Sequence, residues 1–318
     1  MQTPLTIVIT GASRGLGLAI ADASRSEGHR VINLTRHPSP PSASPTEPEI
    51  ASNDLLDAQR SEAAPVDPPE ARRAEAAPAD PSDARVREAA PGEANEGREV
   101  EGREVEVVFG DLSDARGVRA AAEMLREACP RIDVLVHNAG IWPSRRVLNA
   151  DGFEQAFFTN HLAPFLLNHL LEDRVRRIVQ VSAGLYVKGR VDPELTPVGG
   201  AFHPVRTYAD TKLANLLMLP LFAERWQDAG MTIDAVHPGV LRTGLGDRGG
   251  PLGWLLKAVK RTWKAPEEGV RPVTDLYSAT GTGRYFEELT EKPVQPPAGD
   301  LELARRLWAD AAKALNVS

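Results

Sequence analysis

Tyr208 and Lys212 stand four residues apart in Tyr208-Ala209-Asp210-Thr211-Lys212, a spacing that puts both side chains on one helix face. An ammonium group near a phenol favours the phenolate. It would lower the pKa from ~10 towards the working pH and make Tyr208 a general acid/base for a carbonyl or alcohol oxygen. The same lysine could hold the ribose hydroxyls beside a nicotinamide. Asn160 belongs to the same chemistry: it precedes Pro164 by four residues in a stretch, 153–171, that reads as one helix. Proline returns no N–H to the Asn160 carbonyl, so that carbonyl is expected to stand free in a kinked helix. There it could hold a water that links Lys212 to bulk solvent and resupplies protons to Tyr208.

A second constellation lies near the start. Thr10-Gly11-Ala12-Ser13-Arg14-Gly15-Leu16-Gly17 follows the apolar run 5–9 and leads into the amphipathic segment 16–26. That order is a strand, a glycine turn and a helix start. Gly11, Gly15 and Gly17 let the backbone turn tightly and approach a pyrophosphate, and the free N–H groups around Ser13, Arg14 and Leu16 favour the anion. The chain is therefore expected to bind a dinucleotide. The next strand, 30–34, runs into Thr35-Arg36 where an acidic residue would hold the adenosine ribose and repel a 2′-phosphate. Arg36, with Arg14 approaching from the turn, offers that phosphate two guanidinium groups. NADP(H) is the expected cofactor, with NAD(H) as the alternative.

The elements that must position these residues alternate along the chain. Strands are expected at 105–109, 132–137, 177–181 and 232–236, and helices at 115–127, 153–171 and 207–228. Short continuous Val/Ile/Leu runs are the pattern of parallel strands covered on both faces, so the expected fold is a single doubly wound α/β sheet of Rossmann type. Its ligand would lie at the carboxyl ends of the strands, which carry Asp111-Leu112, Asn138-Ala139-Gly140, Ser182 and Pro238-Gly239. Between residues 37 and 104 the composition shifts: 11 of the 26 prolines fall there and only six residues from Val, Ile, Leu, Met and Phe. Such a stretch cannot bury enough apolar surface to offset its ordering, and a disordered insertion is expected, leaving 1–36 plus 105–318 as one domain.

Composition narrows the partners. The 318 residues are 42% hydrophobic with a formal net charge of −7, which argues against nucleic acid. Cys129 is the lone cysteine, which suits a reducing compartment, and no apolar run reaches the ~18 residues of a membrane span. The first strand begins within a few residues of Met1, without a signal-peptide pattern, so a cytoplasmic location is expected.

Together, Thr-Gly-x-x-x-Gly-x-Gly at 10–17, Asp111, Asn-Ala-Gly at 138–140, Asn160, Tyr-x-x-x-Lys at 208–212 and Pro-Gly at 238–239 resemble the short-chain dehydrogenase/reductase family. Asn160-His161-Leu162, Arg177-Ile178-Val179, His237-Pro238-Gly239 with Thr243, Gly283-Arg284-Tyr285-Phe286 and Arg306-Leu307-Trp308 are similar to its retinol-dehydrogenase-like branch. The resemblance implies hydride transfer between a nicotinamide and a carbonyl or alcohol. It gives Tyr208 the acid/base role, makes Lys212 its tuner and ribose anchor, and puts Asn160 in the proton relay. It also implies that Val240 and Thr243 border the nicotinamide and that 244–266 covers the substrate. That stretch contains Leu245, Leu252, Trp254, Leu255, Leu256, Val259 and Trp263, which suit an apolar ligand, a lid packed on the core, or a contact between subunits of a homo-oligomer.

One departure matters. Where the family has two serines after the fifth strand, this chain reads Ser182-Ala183, and the second serine is the substrate's usual partner. Alternation of strand side chains prevents Ser182 from simply taking over, although it is the candidate catalytic serine. Losing such a donor typically removes ~2.7 to 4 kcal/mol of transition-state stabilisation. Two function classes follow: an NADPH-dependent oxidoreductase of apolar carbonyls or alcohols, or a cofactor-binding sensor or scaffold with little turnover. His137, in place of an asparagine before Asn-Ala-Gly, reads as a packed strand-end residue.

Overall fold

The computed structural model describes residues 3–36, 98–100, 103–242 and 263–318. Among them, nine strands form one sheet in the order β3-β4-β2-β1-β5-β6-β7-β8-β9. The chain runs β1 (Thr6–Thr10), α1 (Gly15–Ser26), β2 (Arg30–Thr35), β3 (Arg98–Val100), β4 (Arg103–Phe109), α2 (Ala115–Ala128) and β5 (Ile132–His137). It continues through α3 (Gln155–Phe157), a π-turn (Phe158–Leu162), α4 (Ala163–Leu170), β6 (Val175–Val181), α5 (Pro204–Arg225) and β7 (Thr232–His237). The last elements are α6 (Val270–Thr274), β8 (Tyr285–Glu287), β9 (Thr290–Lys292) and α7 (Leu301–Leu315). From β4 to β8 every pairing is parallel, and β3 and β9 close the two edges as antiparallel hairpin partners.

Strand alternation explains why the runs are apolar throughout. Val8, Ile32, Leu34, Leu135 and Ile178 face a core built with α2, α4, α5 and α7. Ile7, Ile9, Val31, Val134, Val136, Val179 and Val181 face a second core on the side of α1 and α6. Because β1 has β2 on one side and β5 on the other, the connections leave in opposite directions there, and a crevice opens at the carboxyl ends of the strands.

The structure moves several expected boundaries. β4 begins at Arg103 and its hairpin partner β3 at Arg98, so the sheet reaches into the tail of the segment read as an insertion; residues 37–97 lie outside the described residues, as do Thr243 and most of the apolar stretch 244–266. The single helix expected over 153–171 is three pieces, because Pro164 removes one backbone donor and the turn widens to the π form over Phe158–Leu162. The β8–β9 hairpin was not expected. It is fixed by buried Asp234 of β7, which accepts Arg177 Nη1 at 2.9 Å and Arg284 Nη2 at 2.8 Å and so ties β6, β7 and β8 together.

Candidate active site

The glycine turn follows β1 and is pinned to both neighbouring strands. Gly11 N donates to Leu34 O at 2.8 Å, which ties the turn to the end of β2. Thr10 Oγ1 accepts from Asn138 N and Ala139 N at 3.0 and 2.9 Å, and Asn138 Nδ2 donates to Thr10 O and Gly11 O at 3.1 and 3.2 Å. Gly11 has φ +70°, and a Cβ on Gly17 would sit 2.4 Å from Asn138 Nδ2 and 2.5 Å from Gly11 O, so only glycine fits there. At the head of α1, Arg14 is the N-cap and makes no side-chain cap bond, leaving first-turn N–H groups for an anion. These features fit the pyrophosphate of a dinucleotide. Gly11, Ser13, Arg14, Gly15, Leu16 and Gly17 would hold it, with Asn138, Ala139 and Gly140 alongside.

Arg14 and Arg36 are both exposed, Arg36 directly after β2. Asp111, after β4, is exposed and accepts Ser113 N at 3.0 Å in a local turn, while Leu112 is part of the core. On the far side of the crevice Pro238 is buried, Gly239 takes φ +98°, and Val240 is exposed with its carbonyl accepting from Lys264 N.

The Tyr208 and Lys212 side chains lie on one face of α5, the Lys212 Nζ 5.7 Å from the Tyr208 ring centroid. Lys212 Nζ donates to Val181 O at 3.0 Å. Both side chains are buried, and burial acts on them in opposite senses: it pushes the Tyr208 phenol above its ordinary range and Lys212 down to about 8. The expected lowering of the phenol pKa is thus reversed, because loss of hydration outweighs a lysine at this distance. The phenol is held protonated, ready to give a proton, and no described residue bonds its hydroxyl.

Asn160, in the π-turn, is held at both ends. Its side chain brackets the backbone of Ile141, with Oδ1 accepting Ile141 N at 2.8 Å and Nδ2 donating to Ile141 O at 2.9 Å. Nδ2 also reaches Thr211 Oγ1 at 3.2 Å. The main-chain carbonyl, expected to stand free, instead accepts Asn215 Nδ2 at 2.9 Å. Pro164 does leave that carbonyl without its helical partner, but α5 supplies another. Asn215 Oδ1 in turn meets His161 Nδ1 at 2.8 Å, so His161 carries its proton on Nδ1. His137, at the end of β5, is buried and bonded to Asn168 Oδ1 at 2.7 Å.

Ser182 is 4% exposed, and its Oγ has no partner among the described residues. Alternation along β6 puts it on the side of Ile178 and Gln180, towards the core under α4 and α5. Ala183 follows at the rim without a hydroxyl. Trp142, two residues after Gly140, stacks on Tyr208 with centroids 4.7 Å apart and planes 11° from parallel. Sequence reasoning missed Thr10, Trp142, Thr211 and Asn215 as site residues. For Thr211 and Asn215 a signal existed, since they share the α5 face of Tyr208 and Lys212 at spacings of three and seven. No group of three or more His, Cys, Asp or Glu residues that could hold a metal occurs among the described residues, and no described helix is long and apolar enough to cross a membrane.

The model of the short chain dehydrogenase family matches residues 81–249. Human retinol dehydrogenase 13 is 34% identical over 229 residues, covering 65% of this chain and 67% of that one. Human retinol dehydrogenase 14 is 35% identical over 214 residues, covering 62% of this chain and 63% of that one. A protein of Streptomyces sp. (strain C5), provisionally named a daunorubicin C-13 ketoreductase, is 28% identical over 318 residues, covering 98% of this chain and 92% of its own. Among solved structures, a protein from Mycobacterium Paratuberculosis superposes with a TM-score of 0.65 at 25% identity, covering 99% of this chain and 94% of that one.

Proposed function

The chain belongs to the short-chain dehydrogenase family, in its retinol-dehydrogenase-like branch, and from that premise we propose that it reduces apolar carbonyl compounds, or oxidises the matching alcohols, with NADP(H). The observation that carries this reading is the Tyr208 hydroxyl, kept protonated by burial and without a hydrogen-bond partner among the described residues, on the same α5 face as Lys212. The nicotinamide, when bound, exchanges a hydride with the substrate carbon. Tyr208 gives the proton to the carbonyl oxygen in reduction and takes it back in oxidation. Lys212 stabilises the phenolate left behind, and its Nζ hydrogens not used by Val181 O would hold ribose hydroxyls. Asn160 fixes the Ile141 backbone and with it the wall of the site.

NADP(H) rather than NAD(H) is supported by Arg36 at the end of β2, with Arg14 in a turn anchored two residues before it at Leu34. The relatives' names point to a retinol as substrate for one of those proteins and to the C-13 ketone of daunorubicin for another. A sensor without turnover finds no support in those names. The test is oxidation of NADPH and NADH by the purified chain against a panel of aldehydes, ketones and quinones. Turnover with NADPH, faster than with NADH, is expected. No turnover with any carbonyl, in either direction, would overturn the reading.

A further inference from the structure

A carbonyl oxygen that becomes an alkoxide has more lone pairs than one phenol can satisfy, and preorganised second donors typically supply a large share of the stabilisation. The rim of this site has no hydroxyl to offer at Ala183, and Ser182 Oγ lies buried on the Gln180 side of β6. One donor remains unspent beside Tyr208. The Nε1–H of Trp142 is shielded from solvent and bonded to no group among the described residues, although a buried indole N–H ordinarily finds a partner. Its ring is stacked on Tyr208 in a nearly parallel plane. The preceding residue, Ile141, is gripped by Asn160 through both its N–H and its carbonyl, so the indole is carried on fixed backbone.

We propose that the Trp142 indole N–H is a catalytic hydrogen-bond donor, the second partner of the substrate oxygen beside Tyr208. The proposal rests on the carbonyl-reductase reading above and adds the group that holds the oxygen. In the reduction a hydride from the nicotinamide forms the new C–H bond, the carbonyl π pair moves to oxygen, and Tyr208 supplies the proton. Trp142 keeps its hydrogen throughout and lends only a hydrogen bond. In a site closed to water such a bond is stronger than at the surface.

Trp142→Phe keeps a ring on Tyr208 and removes the N–H. A fall in kcat of ~100-fold is expected, with melting temperature and NADPH affinity unchanged, and Ala183→Ser added to that variant should recover at least ~10-fold by returning a donor to the rim. A kcat within about threefold of wild type would overturn the proposal. A loss that Ala183→Ser leaves unrepaired and that appears mainly as a raised KM would overturn it too, assigning Trp142 to packing. A second readout needs no turnover. In the complex with NADP+ and acetophenone, the indole 1H–15N resonance that is missing from Trp142→Phe should move downfield. If it stays still at millimolar acetophenone the donor role is wrong, even if the enzyme reduces other ketones. If it moves while no carbonyl is ever reduced, the functional reading fails and the donor assignment stands.

Discussion

Replacing Lys212 by methionine removes an ammonium group that is 5% exposed and makes one protein hydrogen bond among the described residues, to Val181 O. Burial lowers its pKa from 10.5 to about 8, so the folded chain binds the proton less tightly than the unfolded chain by about 3 kcal/mol. Between pH 8 and 10.5 the unfolded lysine is still protonated while the folded one is not. Stability contributed at this position therefore rises with pH across that window, and below pH 8 the full penalty is present. Methionine fills similar space without a charge, though it removes one donor from the Val181 carbonyl, which keeps Gln180 Nε2 at 3.5 Å, a loss of roughly 0.5–1.5 kcal/mol that does not depend on pH. The two effects separate in urea unfolding of both proteins at steps from pH 7 to 10.5. Other titrating groups are common to the pair and cancel in the difference. The gap between wild type and Lys212→Met should shift in favour of wild type by about 3 kcal/mol over this range, roughly 6–12 °C in melting temperature. Parallel stability curves would show that Lys212 is not a desolvated ammonium.

Arg36→Asp should weaken NADPH binding by roughly 10-fold to 100-fold and NADH binding far less, read by fluorescence titration; equal losses would remove the 2′-phosphate assignment. Asp234→Ala leaves Arg177 buried without its carboxylate and should destabilise the fold by about 3–5 kcal/mol, seen as a lower urea midpoint; a change below about 1 kcal/mol would show that the β6–β7–β8 tie is dispensable. Asn215→Leu should leave the Asn160 carbonyl unpaired, costing about 1–3 kcal/mol of stability, and shift the His161 Nδ1–H signal in nitrogen-edited NMR; an unshifted signal would mean that the two are not bonded.

What was legible in the sequence was local. The glycine turn needs a strand before it and a helix after it, and both show in the hydrophobic pattern of 5–26. Tyr208 and Lys212 need only one helix face, which a spacing of four guarantees. Pro164 foreshadows the π-turn but not the partner of the Asn160 carbonyl, which is Asn215, 55 residues away. The Tyr208 pKa failed for the same reason: its environment is tertiary, set by Trp142 and the surrounding core rather than by its neighbours on the helix. β8 and β9 have three residues each, too short for a periodic signal, and their place depends on the Asp234 ion cluster.

The central claim is that the Tyr208 hydroxyl is the proton donor to a carbonyl. Wild type and Tyr208→Phe, each loaded with NADPH, should be mixed with the best carbonyl of the panel and NADPH oxidation followed through a single turnover. Phenylalanine preserves the ring stacked on Trp142 and removes the oxygen. The account predicts that NADPH binds both proteins alike, while the rate of oxidation falls by ~100-fold to 10,000-fold in the variant. A variant that oxidises NADPH as fast as wild type would contradict it.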